Sequence, residues 1–162
     1  MAWEASNGMT LDRRLVGDRS WTEGIGVLPP ELHRDAVRYA STKLMTLLRH
    51  RNVAEVPVSY LGSETVDGRK IEVVKIVLEG TRCEIELDHE TFRPVAVRFQ
   101  SSPIQEAIEN EVVRRSYSDF RSVNGFVLPF RQTVTVGGEY YNEWQLLAFE
   151  TEPEYDSKVF DF

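Results

Sequence analysis

Two hydrophobic periods divide the chain. From Glu31 to about Arg51, Leu32, Ala36, Tyr39, Ala40, Leu44, Leu47 and Leu48 recur at the spacing of one helix face, with Arg34, Asp35, Arg38, Lys43 and Arg49 between them. This spacing predicts one long amphipathic helix. Pro30 suits its first turn, where a missing N–H has no partner to lose, and Arg49, His50 and Arg51 fall where cations favour the negative end of the helix dipole. After Ala54 the period falls to two. Cys83, Ile85 and Leu87 alternate with Glu84, Glu86 and Asp88, and Phe126, Leu128, Phe130, Val134 and Val136 alternate with more polar neighbours. Asp67-Gly68, Glu79-Gly80, Asn124-Gly125 and Gly137-Gly138 divide these runs as turns divide a meander of antiparallel hairpins.

Ahead of the helix, Trp3 to Glu23 reads as strand material with turns at Asn7-Gly8 and Gly17-Asp18, and Gly24 to Pro29 as a loop. Pro103 to Glu109 suggests a short helical turn at a sheet edge. Pro94 is kept from a central ladder position, and Pro129 points to an edge or bulge in its strand. No repeat or linker interrupts the pattern. Residues 1–162 are therefore read as a single α+β unit, of a kind that can be excised from a longer protein.

Composition narrows the function classes. Of the 162 residues, 41% are hydrophobic and 28% charged, which excludes a disordered polar chain. Apolar runs reach no more than about four residues against the roughly 20 of a membrane-spanning helix. A formal charge of −7 and a pI near 5.1 argue against nucleic acid, since dense basic pairs are few, Arg13-Arg14 and Arg114-Arg115 among them. The first residues lack a basic region followed by an apolar core, so no signal peptide is read there. The leucine-rich, partly basic helix has features of an interfacial helix, but Glu31 and Asp35 dilute its positive face, and packing against a sheet accounts for it better.

Catalytic chemistry is hard to find. His33, His50 and His89 lack metal-ligand spacing, and His89-Glu90 begins a zinc-protease motif whose second histidine is missing. The lone Cys83 lies on the apolar side of its strand and reads as a packed small hydrophobe. No nucleophile elbow, P-loop or dinucleotide turn is present, and Gly24-Ile25-Gly26 is better explained as a connection. The acidic groups at Glu106, Glu109 and Glu111, and at Glu150, Glu152, Glu154 and Asp156, read as solvated edges. No metal or other cofactor is expected, and no enzyme.

Three motifs in register carry a family resemblance: Val66-Asp67-Gly68-Arg69-Lys70; Ile85 through Val97, including Asp88-His89-Glu90-Thr91-Phe92-Arg93-Pro94; and Tyr117 through Phe130, including Asn124-Gly125. In that order after the helix, the chain from Trp21 onward resembles the LolA/LolB-like superfamily of lipoprotein carriers, and more closely the LolA-like domain fused to some insulinase-type zinc peptidases. The resemblance implies a strongly curved antiparallel half-barrel wrapped around the helix, a periplasmic or cell-envelope location, and acyl chains accepted between sheet and helix. Two departures stand out: Phe92-Arg93 replaces the Gly-Leu common before the proline, and one long helix stands where the carriers have several. The peptidase motif is absent, so peptidase activity does not transfer.

The function expected is non-enzymatic binding or transport of a lipid, a lipoprotein acyl chain or another hydrophobic ligand. Burial of apolar area at about 25 cal/mol per Å² lets a single acyl chain suffice. The expected groove residues are Leu44, Leu47 and Leu48 on the helix. On the sheet they are Ile85, Leu87, Val97, Phe99, Phe126, Phe130, Val134, Trp144 and Leu146. The alternative is a structural or interaction domain with a solid core, accessory to a larger envelope protein or peptidase, which would bind another protein domain through Trp3, Tyr140, Tyr141 and Trp144.

Overall fold

The computed structural model describes residues 2–5, 13–16, 19–22, 26–27, 29–44, 46–47, 56–101 and 111–148. The alternating half of the sequence forms the strands β5 (Val58–Val66), β6 (Arg69–Leu78), β7 (Thr81–Asp88), β8 (Pro94–Gln100), β9 (Val112–Val123), β10 (Phe126–Val136) and β11 (Glu139–Ala148). Each pairs antiparallel with its sequence neighbour. The short β1 (Ala2–Ala5) adds to β11, giving an open eight-stranded sheet in the order β1-β11-β10-β9-β8-β7-β6-β5. Upstream, β2 (Arg13–Val16), β3 (Arg19–Thr22) and β4 (Gly26–Val27) make a separate three-stranded sheet, so a two-residue strand lies in the segment expected to be only a loop.

The expected two-residue turns are all present between the long strands. At Asn124-Gly125 both residues take the left-handed region, with φ of 48° and 82°. This twist matches that of the flanking strands, and asparagine followed by glycine reaches it at least cost. The longer β7–β8 connection closes on Asp88, whose carboxylate accepts hydrogen bonds from the Thr91 backbone N–H and hydroxyl. Those bonds hold its carboxyl below the usual carboxylate range.

Both prolines fit the ladder, though not as expected at Pro129. Pro94 opens β8. Pro129 lies within an internal strand, opposite Phe120 of β9, but the β10–β11 pairs run only from Arg131 onward. Its missing N–H therefore falls outside that ladder.

The helix is the main correction. α1 spans Pro30–Ser41, 12 residues, and not Glu31 to Arg51. Pro30 does occupy its first turn. It stops early because Ser41 Oγ donates to the Val37 carbonyl and Thr42 Oγ1 to the Tyr39 carbonyl, competing for acceptors the helix would use. Tightened backbone bonds from Thr42 to Tyr39 and from Lys43 to Ala40 complete the stop. A second turn follows, with the Leu47 N–H donating to the Lys43 carbonyl. The body of α1 lies against β3 of the small sheet; its C-terminal end and the turn after it meet the large one. Leu48, Arg49, His50 and Arg51, the turns at Asn7-Gly8 and Gly17-Asp18, and the segment Pro103–Glu109 lie outside the described residues.

Candidate ligand-binding face

Strand register assigns the two faces of the large sheet. One cross-strand row reads Ile76, Cys83, Phe99, Val113, Val136, and the next reads Val74, Ile85, Val97, Arg115, Val134. Leu44 and Leu47 pack onto this face in one buried cluster with Ile85, Val97, Phe99 and Val134, and Leu87 and Trp144 flank it. Eight of the expected groove residues thus meet in one place. Phe130 and Leu146 belong to a smaller cluster with Leu128. Phe126 does not join either; it is 54% exposed at the β9–β10 turn, because β10 extends past the packed segment. Tyr140 and Tyr141 are exposed, whereas Trp144 is half-buried with its indole N–H donating to Asn142 Oδ1.

Arg115 is the exception in its row. It is 1% exposed, among valines. Nη1 donates to Thr42 Oγ1 at 2.6 Å and to the Thr42 carbonyl at 3.3 Å. The guanidinium lies over the rings of Phe99 (4.5 Å) and Tyr39 (4.8 Å), a favourable position for a cation. Nη2 has no hydrogen-bond partner. Tyr117, two residues along β9 on the same face, is also buried; its hydroxyl lies near the Leu44 backbone without a hydrogen bond of normal geometry. Burial pushes this hydroxyl up to about 12, against the pull of Arg115. Burial likewise pushes the Cys83 thiol up to about 11, as expected for a packed cysteine. Parity along Val113-Arg114-Arg115-Ser116-Tyr117 was the signal that could have placed Arg115 inside.

At one end of the same face, Glu72 accepts hydrogen bonds from Tyr60 Oη, Ser63 Oγ (2.8 Å) and His89 Nδ1. A bulge at Leu61, with Gly62 at φ 127°, puts Tyr60 and Ser63 on one face although they are three residues apart. The bond from Tyr60, with those from Ser63 and His89, lowers the Glu72 carboxyl to about 2. His89 is thus engaged with a carboxylate, and among the described residues no cluster of His, Cys, Asp and Glu could hold a metal ion. The opposite face is charged. Glu86, fully buried, receives both Nε and Nη2 of Arg114 at 2.9 and 2.7 Å, with Arg98 Nε at 3.4 Å. Arg98 also pairs with Glu64 and Glu84.

The architecture is shared with two crystal structures. One is a domain described as an outer membrane lipoprotein-sorting protein from Vibrio parahaemolyticus, with TM-score 0.51 and 14% identity over 90% of this chain. The chain spans 65% of that protein's length. The other is a LolA superfamily protein from Nitrosomonas europaea, with TM-score 0.53 and 13% identity over 97% of this chain and 72% of the other. No protein-family model and no curated protein matches the sequence. The fold is LolA-like, as the sequence motifs implied.

Proposed function

We propose that this chain is a non-enzymatic binder or carrier of a hydrophobic ligand, a lipid or a lipoprotein acyl chain, acting in the cell envelope. The observation that carries the reading is the apolar face of the large sheet, on which Leu44 and Leu47 pack through a segment joined to α1 at a break. A segment that meets the sheet through Leu44 and Leu47 and is joined to α1 at a break can be displaced without unwinding α1. The half-barrel would then curve around the acyl chain, with Ile85, Val97, Phe99 and Val134 as its floor. The LolA-like fold and the lipoprotein-sorting description of one structural neighbour support the same reading. Among the described residues no helix is long and apolar enough to cross a membrane.

The test is native mass spectrometry of gently purified protein together with titration of a fluorescent fatty-acid probe. Bound lipid, or saturable probe binding weakened by Val97→Trp, is expected. Protein free of lipid that also leaves the probe in water would abandon the carrier reading in favour of an interaction domain with a solid core.

A further inference from the structure

Arg115 occupies a position that the fold does not need to be charged. Its cross-strand neighbours are Val97 and Val134, and leucine or methionine would continue the row. Burying an unpaired charge costs several kcal/mol. Two aromatic rings and one threonine return part of that. Among the described residues no carboxylate pairs with Arg115, and Nη2 is left without a partner. The nearby groups cannot neutralise it: Cys83 stays a thiol and Tyr117 a phenol at neutral pH, since burial raises both. Tyr117 therefore retains a proton to donate, and its oxygen too lacks a normal bond. Two unsatisfied buried donors, one of them cationic, face the same apolar interior.

We propose that the ligand of this face is an amphiphile with a single anionic head, a carboxylate or phosphate monoester on an alkyl chain, and that Arg115 Nη2 and Tyr117 Oη hold the head. The proposal rests on the reading of this face as a site for an apolar ligand, and adds to it a polarity and an anchor. A guanidinium suits both heads because, with Nη1 engaged by Thr42, Nη2 still offers a charge-assisted donor to an oxygen of either. The head lies where the turn after α1 crosses β9, and the chain extends along the rows of Ile85, Phe99 and Val134. The charge that is a burden in the empty protein becomes a paired charge in the loaded one.

The experiment compares four probes on the full chain, below their micelle-forming concentrations: laurate, dodecyl phosphate, methyl laurate and dodecanol. Each displaces a neutral fluorescent reporter, and inorganic phosphate is the chain-free control. At least one acid is expected to bind more than about tenfold tighter than its neutral analogue. Laurate against dodecyl phosphate distinguishes the head. Arg115→Met should abolish that preference while leaving methyl laurate affinity within about twofold, and Tyr117→Phe should reduce it. Arg115→Lys, which keeps the charge and loses the fork, should retain part, and serves if the methionine variant does not fold. Equal binding of acid and neutral analogue by the native protein overturns the anchor and leaves the apolar reading intact. A preference that survives in Arg115→Met overturns it as well. Should no alkyl probe displace the reporter, the apolar reading fails and the anchor with it; phosphate binding as tightly as dodecyl phosphate overturns the amphiphile.

Discussion

Arg115 and Thr42 are 73 positions apart in sequence, yet Nη1 of the arginine donates to the threonine hydroxyl at 2.6 Å in the interior. That hydroxyl in turn donates to the Tyr39 carbonyl at 2.7 Å, so one oxygen both stops α1 and ties its end to β9. Thr42→Val keeps the shape and removes both bonds. It is expected to cost about 2 kcal/mol, the range for a lost hydrogen bond to a buried charged group. Thr42→Ser should recover most of it. Urea denaturation of the two variants checks the prediction.

Glu86 tests the opposite face. Its carboxylate is fully buried and its strongest partner is Arg114. Arg114→Ala leaves that charge with Arg98 at a longer distance, and a loss of about 3 kcal/mol is expected. Replacing both residues, Glu86→Leu with Arg114→Leu, should be far milder than the single change because no buried charge is left behind. A double-mutant cycle by chemical denaturation measures the difference. Additive losses would contradict it.

The β6–β7 turn uses a less suitable residue than the other two-residue turns. Glu79 has φ 50°, a left-handed conformation that glutamate adopts reluctantly and asparagine readily, and Gly80 follows at 72°. Glu79→Asn should therefore stabilise the hairpin by about 0.5–1 kcal/mol. Its side chain is exposed, so no packing opposes the change. A thermal melt showing an unchanged or lowered midpoint would count against it.

These cases mark how far the sequence could be read. The hairpin turns were legible because a two-residue loop between alternating strands has few solutions, and Asp-Gly and Asn-Gly name one of them. The length of the helix was not. Apolar periodicity continued to Leu48, but Ser41 and Thr42, which look like ordinary polar-face residues, turn their hydroxyls back on the helix carbonyls. Most of the apolar face was legible from period two, with Phe126 misplaced because alternation does not say where packing along a strand ends. Arg115 was passed over as half of a basic pair, although parity with Val113 and Tyr117 put it inside. The Glu72 and Glu86 clusters required cross-strand register, and Glu72 also required a bulge that shifts Tyr60 into line with Ser63.

Glu72 sets the acid limit of stability at its end of the sheet. Its carboxyl lies at about 2 in the folded protein against 4.5 when free, chiefly through Tyr60 and then Ser63 and His89. A depressed acid contributes stability that is fully present above its unfolded value and disappears as pH falls through the folded one. Stability should therefore decline between about pH 4.5 and 2. Glu72→Gln should flatten that part of the profile while lowering stability at neutral pH. Denaturant midpoints measured at intervals across the window provide the check.

Alkaline pH should act through the interior. Cys83 is raised to about 11 from 9.0 and Tyr117 to about 12 from 10.0, both by burial and both despite Arg115. A group whose ionisation is raised on folding contributes stability below its unfolded value and loses it as pH climbs through the folded one. Stability should hold up to about pH 9 and fall from there toward 12. Cys83→Ala should remove the earlier part of the decline and Tyr117→Phe the later part. The same burial protects the thiol from reagents: modification of Cys83 at pH 8 should be slow in the resting protein and accelerate with denaturant, because the sulfur is reached only when the packed face opens. Rapid labelling of the native protein, with no dependence on urea, would show that the interior opens to solvent without unfolding.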